Sequence, residues 1–148
     1  MVVRLPGGCV GTVEASKVAT GTQDELRFEI HGDKGAMRFN TMHPNSLEIY
    51  DTRLPSGQTG GSQGWQALDT VQRYPKPATG FPMVKASVGW LRAHMACLHN
   101  FLASVARSEP AEPGLEQGIY IQRVMEAAKG SDREGRWVDL EDTRRRST

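Results

Sequence analysis

Leu26-Arg27-Phe28-Glu29-Ile30-His31, followed by Gly32-Asp33-Lys34-Gly35, decides the fold. The six residues alternate strictly, so an extended chain puts Leu26, Phe28 and Ile30 on one face and Arg27, Glu29 and His31 on the other. The Gly-Asp-Lys-Gly that follows is turn chemistry, with two glycines free to take positive φ. Working outward, Ala36 to Asn40 and Ser46 to Asp51 are two more short alternating runs. On the N-terminal side, Val10 to Ala19 is rich in β-branched and small residues and reads as a strand, closed by the turn Thr20-Gly21-Thr22-Gln23-Asp24. Strands joined by short turns predict an antiparallel meander.

Past the strands the pattern changes twice. Nine of the chain's Gly and Pro residues fall between Pro55 and Pro82, and 55–64 reads as an exposed Gly-rich loop. Trp65 to Arg73 reads as one more strand, ended by Tyr74-Pro75-Lys76-Pro77 because proline lacks a ladder donor. Trp90 to Arg107 then has no Gly or Pro, and Leu91, Met95, Leu98, Leu102 and Val105 form one helical stripe. Ser108-Glu109-Pro110 closes that helix. A second helix is expected from Leu115 to about Arg133, with Gly135 just past its end, and Trp137-Val138-Asp139-Leu140 as a last short strand. The predicted class is α+β, a mostly antiparallel open β-sheet with helices packed on one face. Residues 1–140 are expected to form a single domain, and 141–148, with Arg144-Arg145-Arg146, a charged, disordered tail.

Composition bounds the function. Of 148 residues only 29 are Leu, Ile, Val or Phe, yet Lys plus Arg (18) nearly cancels Asp plus Glu (17). A balanced chain of this kind folds, with a thin core that invites a cover. No basic face marks a nucleic-acid binder. No apolar run reaches the roughly 18–20 residues of a membrane helix, and Met1-Val2-Val3-Arg4-Leu5-Pro6 is too short for a signal peptide. Cys9 and Cys97 match no zinc or redox spacing and are expected as thiols of a cytoplasmic protein.

Motifs with chemistry are scarce. Gly7-Gly8-Cys9-Val10-Gly11 precedes a strand and lacks the G-x-G-x-x-G spacing, and Gly32-Asp33-Lys34-Gly35 lacks that of a phosphate loop. His94 and His99 stand five apart on one helix and cannot easily share a metal. His94 and Cys97 can meet on one face, but no third group orients them as a nucleophile pair. Trp90, His94, Cys97 and Phe101 form a second stripe, read either as core or as part of a cleft lined by Trp90, Arg92 and His94. Arg27, Arg38 and Arg53 are candidate anion contacts or simply a solvated sheet face. No catalytic, cofactor-binding or metal-ligating residue is assigned.

Two blocks carry a resemblance. Gly11-Thr12-Val13-Glu14-Ala15-Ser16-Lys17-Val18-Ala19-Thr20-Gly21, with Asp24-Glu25-Leu26-Arg27-Phe28-Glu29-Ile30-His31-Gly32 and Lys34-Gly35-Ala36, resembles strands in the C-terminal domain of the Gfo/Idh/MocA dehydrogenases. Phe101-Leu102, Gly118, Gln122-Arg123-Val124, Ala127-Ala128, Ser131 and Glu134-Gly135-Arg136-Trp137-Val138 resemble that domain's closing helices and strand. The resemblance implies two-domain enzymes in which an N-terminal Rossmann domain binds NAD or NADP and supplies a lysine from Glu-Lys-Pro. Hydride then passes between nicotinamide and a sugar, polyol or related compound. An Asp-x-x-x-His helix opens the C-terminal domain, whose open sheet face commonly forms a dimer. This sequence has neither motif, and Lys76-Pro77 follows Pro75 in a loop.

The expectation is therefore the substrate-binding and oligomerisation portion of an NAD(P)-dependent sugar or polyol dehydrogenase, truncated downstream of its catalytic helix and not catalytic alone. NAD(P) is implied for the full-length enzyme and not for this chain. The implied partners are a Rossmann domain and a second copy through the sheet, with Trp90, Arg92 and His94 as substrate-cleft candidates on residue type alone. The alternatives are a stand-alone small-ligand-binding or scaffold module on the same fold, and a small unrelated enzyme using His94, Cys97 or nearby carboxylates.

Overall fold

A computed structural model of the chain describes residues 1–75, 80 and 83–140. The expected 141–148 tail, and Lys76-Pro77, lie outside the described residues. The elements are β1 (Val2–Arg4), β2 (Val10–Thr12), β3 (Arg27–Gly32), β4 (Gly35–Asn40), β5 (Ser46–Asp51), β6 (Trp65–Asp69), α1 (Trp90–Arg107) and α2 (Leu115–Glu134). The fold is mixed α+β with antiparallel sheets and helices, as the alternating and helical periods predict. The chain divides into two compact units, one from Met1–Val18 with the residues from Ser108 onward, the other Ala19–Arg107.

The larger unit is built on the meander β3-β4-β5-β6. Its register pairs Phe28 with Phe39, Ile30 with Met37, Met37 with Ile49 and Leu47 with Leu68, so one face is apolar. The opposite face carries Glu29, Arg38, Glu48 and Ala67 in one row and Ala36, Tyr50 and Trp65 in the next. The β3–β4 turn depends on Gly35, which has φ 157°. A Cβ there would stand 2.1 Å from the Tyr50 carbonyl oxygen, so only glycine lets β5 approach this closely. The expected turn after Ala19 is present. Thr22 donates to the Ala19 carbonyl through both its N–H and its Oγ1, and Gly21 has φ 92°.

The expected strand Trp65 to Arg73 stops at Asp69. The Asp69 carboxylate accepts the Val71 N–H at 2.8 Å, an Asx turn that competes with the ladder. Helix α1 runs over the expected span, Trp90–Arg107, and ends at Ser108, whose φ is 54°. Its apolar stripe is exposed, Leu91 at 73% and Val105 at 61%. Among the described residues only Val88 and Arg92 are buried, so the core is as thin as the composition implied.

In the smaller unit β1 and β2 form a two-stranded antiparallel ladder, with Val3 opposite Gly11. The sequence pattern missed β1 and overextended β2 to Ala19. A strand persists only where a partner supplies its ladder bonds, and β1 is three residues long. Beyond it the Ser16 Oγ takes the Val18 N–H at 3.2 Å, which stabilises a local turn instead. Helix α2 starts where Gln117 Oε1 accepts the Gly114 N–H at 2.8 Å and ends at Gly135, left-handed at φ 62°. The expected strand Trp137–Leu140 is not formed. Trp137 instead lies under the Arg4 guanidinium, 4.3 Å from its ring centre.

Candidate functional site

Two places in the larger unit bring polar and aromatic groups together. The first is the polar sheet face. Arg38 on β4 stands directly opposite Glu48 on β5, and the fork closes with Nε to Oε2 at 2.7 Å and Nη2 to Oε1 at 3.1 Å. Both side chains are about 40% exposed, where an ion pair adds little stability but fixes direction. That direction lays the Arg38 guanidinium over the Trp65 ring, 4.2 Å from its centre. Tyr50, paired with Trp65 in the ladder, meets the same ring edge-on at 5.8 Å. The hydrogen bonds from Arg38 hold the Glu48 carboxyl below its usual range, and the carboxylate in turn raises Arg38.

The arginines are paired rather than poised for anions. Arg53 binds the Asp51 carboxylate through Nε at 2.8 Å and Nη2 at 2.7 Å, while its backbone N–H donates at 2.9 Å. Those hydrogen bonds lower Asp51 to about 2. Arg27 has Glu25 at 4.0 Å. The three arginines read as candidate anion contacts each have a carboxylate. The Arg38–Trp65 stack was missed because it spans β4 to β6, a diagonal that needs the observed register of β5 with both neighbours.

The second place is the start of α1. Val88 is 5% exposed and its N–H donates to Asn45 Oδ1 at 2.6 Å, anchoring the entry to the helix just before β5. Arg92 is 6% exposed. Its Nη1 donates to the Ala86 carbonyl and, at 3.0 Å, to the Ser87 carbonyl. Trp90 and His94, one helical turn apart, stack with ring centres 6.1 Å apart and 29° between planes. Of the three cleft candidates the structure thus brings Trp90 and His94 together on the surface. Arg92, two residues from each, is turned inward to hold the segment before the helix. Cys9 and Cys97 are free and exposed. Among the described residues no group of three His, Cys, Asp or Glu side chains is placed to hold a metal.

In the smaller unit, Leu115, Gly118, Ile119, Gln122, Arg123 and Glu126 line an open depression of about 480 Å³ along α2. They recur at helical spacing, so this is one face of a single helix.

Comparison with known proteins places this geometry. The profile of the Gfo/Idh/MocA oxidoreductases, C-terminal alpha/beta domain, matches residues 1–140. A levoglucosan dehydrogenase of Pseudarthrobacter phenanthrenivorans is 25% identical over 139 residues, covering 94% of this chain and 35% of that enzyme. A crystal structure of an oxidoreductase domain protein from Kribbella flavida superposes with TM-score 0.81 at 23% identity, over 95% of this chain and 36% of that one. A levoglucosan dehydrogenase in complex with NADH and levoglucosan gives TM-score 0.81 at 23% identity, over 95% and 37%. The chain spans about a third of the length of the relatives it matches.

Proposed function

This chain belongs to the Gfo/Idh/MocA oxidoreductase family, as its C-terminal alpha/beta domain, and we propose on that premise that it is the substrate-binding and oligomerisation portion of an NAD(P)-dependent sugar or polyol dehydrogenase. The observation that carries the reading is the family match along residues 1–140. The described residues do not themselves fit a dinucleotide. Their strands pair antiparallel, so no strand-turn-helix unit cradles a pyrophosphate, and the first N–H before α2 is already taken by Gln117. The nicotinamide chemistry belongs to the rest of a longer enzyme, and no step of it is assigned to this chain.

The chain's own part is to bind and orient. The stacked Trp90–His94 pair offers a flat aromatic surface suited to the C–H face of a sugar ring, with the imidazole as a hydrogen-bonding group beside it. Arg92 positions that surface through the segment 86–88. The dimer forms through the sheet face that carries Phe28, Ile30 and Met37, each 40% exposed or more. No described helix is long and apolar enough to cross a membrane, and the two exposed thiols suit a reducing cytoplasm.

The test is a chimaera in which the preceding part of the Pseudarthrobacter levoglucosan dehydrogenase is fused ahead of Met1. The expected result is NAD(P)-dependent oxidation of at least one member of a panel of sugars, anhydrosugars and polyols. Trp90→Ala should raise KM about tenfold, as loss of a binding contact of order 1.4 kcal/mol does. A folded chimaera that binds NADH and oxidises none of the panel would overturn the reading.

A further inference from the structure

We propose that Asn45, in the loop between β4 and β5, is a positioning residue for the Trp90–His94 surface, acting through the backbone two residues ahead of α1. Its consequence for substrate rests on the reading of that surface given above. Every residue concerned lies in the larger unit.

Helix α1 has no start signal of its own. Gly89, just ahead of it, carries no side-chain oxygen to cap the first turn. No acidic residue stands in that turn to meet the positive end of the helix dipole, and Arg92 places a cation there. A helix begun this way frays unless something outside it holds the entry. Trp90 is its first residue, so fraying undoes the stack with His94 before it reaches the rest of α1.

The hold comes from a loop that is itself braced twice. Within the loop, the His43 N–H donates to the Asn40 carbonyl at 2.9 Å and the Ser46 N–H to the His43 carbonyl at 3.2 Å. Across it, the Pro44 carbonyl accepts Thr70 Oγ1 at 2.7 Å and the Tyr74 hydroxyl at 2.6 Å, so both of its lone pairs are used. The Asn45 carbonyl takes the Thr70 N–H at 3.1 Å. The backbone of Asn45 is thereby pinned to the end of β6, and its side chain is left to reach elsewhere. It reaches the Val88 N–H, 2.6 Å from Oδ1. Val88 is buried, so that N–H needs a partner within the fold. Arg92 closes the same segment from the helix side, through its Nη1 bonds to the Ala86 and Ser87 carbonyls. The first helical bond, from the Ala93 N–H to the Gly89 carbonyl at 3.2 Å, follows directly on this anchor.

The test uses the full chain with Asn45→Leu, which keeps the side-chain shape and removes the acceptor. Asn45→Asp, which keeps the oxygen, is the rescue. In Asn45→Leu the amides of Val88 and Ala93 should exchange with solvent at least about tenfold faster, while the β4–β5 ladder amides keep their rates. The ring-current shift that Trp90 gives the His94 ring protons should shrink toward its value in Trp90→Leu. Asn45→Asp should restore both. Thr70→Val with Tyr74→Phe, which frees the loop and leaves Asn45 in place, should speed exchange at Val88 in the same direction, and it carries the test should Asn45→Leu not fold. In the chimaera described above, Asn45→Leu should raise KM for the sugar about tenfold while kcat falls less than about threefold, and Asn45→Asp should bring KM back. Unchanged exchange at Val88 and Ala93 with an unchanged His94 shift, in a folded Asn45→Leu chain, would overturn the proposal. Equally faster exchange of the ladder amides would overturn it too, making Asn45 a general stabiliser. A lost stack with KM unchanged would support the role of Asn45 and overturn instead the substrate reading of the Trp90–His94 surface.

Discussion

Asp51 carries the sharpest consequence at the scale of single residues. Its carboxylate is held at about 2 by three hydrogen bonds from Arg53. A carboxylate lowered on folding stabilises the fold above its unfolded value, near 4, and loses that contribution as pH falls toward 2. Glu48, lowered by Arg38, shifts in the same direction. Melting temperature should therefore fall between about pH 4 and 2, and the gap between wild type and Asp51→Asn should close over that window. A gap that stays constant to pH 2 would contradict the assignment. Gly35→Ala should destabilise by at least about 1–3 kcal/mol, from the strained φ alone, because its Cβ also meets the Tyr50 carbonyl oxygen. Gly64→Ala, with nothing within 4 Å of its Cβ, is the control, and equal melting temperatures for the two variants would refute the claim. The alternation showed in advance that Arg38 and Arg53 lie in strand or turn positions. It did not show their partners, because a cross-strand ion pair depends on register and the Arg38–Trp65 stack on two registers at once.

At the scale of elements, the sequence was most legible where the period was long. Helix α1 and strand β5 fall on the expected residues, and α2 within one. Eighteen to twenty residues of unbroken helical spacing leave no other element that could satisfy the backbone. The short strands were legible only in part. Val10 to Ala19 has strand composition throughout, but composition does not supply a ladder partner, and β2, paired with β1, ends at Thr12. Trp137 was read as strand for the same reason and is fixed by Arg4 instead. Helix α2 carries Gly118 and Gly130 in its interior, and a Cβ at Gly130 meets nothing within 4 Å. Gly130→Ala should stabilise the chain by about 0.5–1 kcal/mol, read as a rise in melting temperature. No change would mean that the last turns of α2 are frayed in solution. Arg92→Ala should release the segment 86–88, seen as faster hydrogen exchange at Val88, whose N–H is now bound to Asn45.

For the whole molecule, the thin core, the exposed stripe of α1 and the half-exposed apolar sheet face are the observations behind the proposed assembly surface. The family match supplies the class of domain, and the chain covers about a third of the length of its relatives. The fold class was legible from alternation and helical period. The Trp90–His94 pair was legible only as residue types, because the two rings stack, and Arg92 turns to the segment before the helix, only once the entry to α1 is anchored on Asn45. The central claim is that this chain brings substrate-binding and assembly surfaces and no cofactor site of its own. The most direct measurement is a titration of the purified 148-residue chain with NADH and NADPH, followed by nicotinamide fluorescence. The account predicts no saturable binding up to near-millimolar cofactor. Saturable binding of either nucleotide would contradict it and would require a cofactor site within these residues.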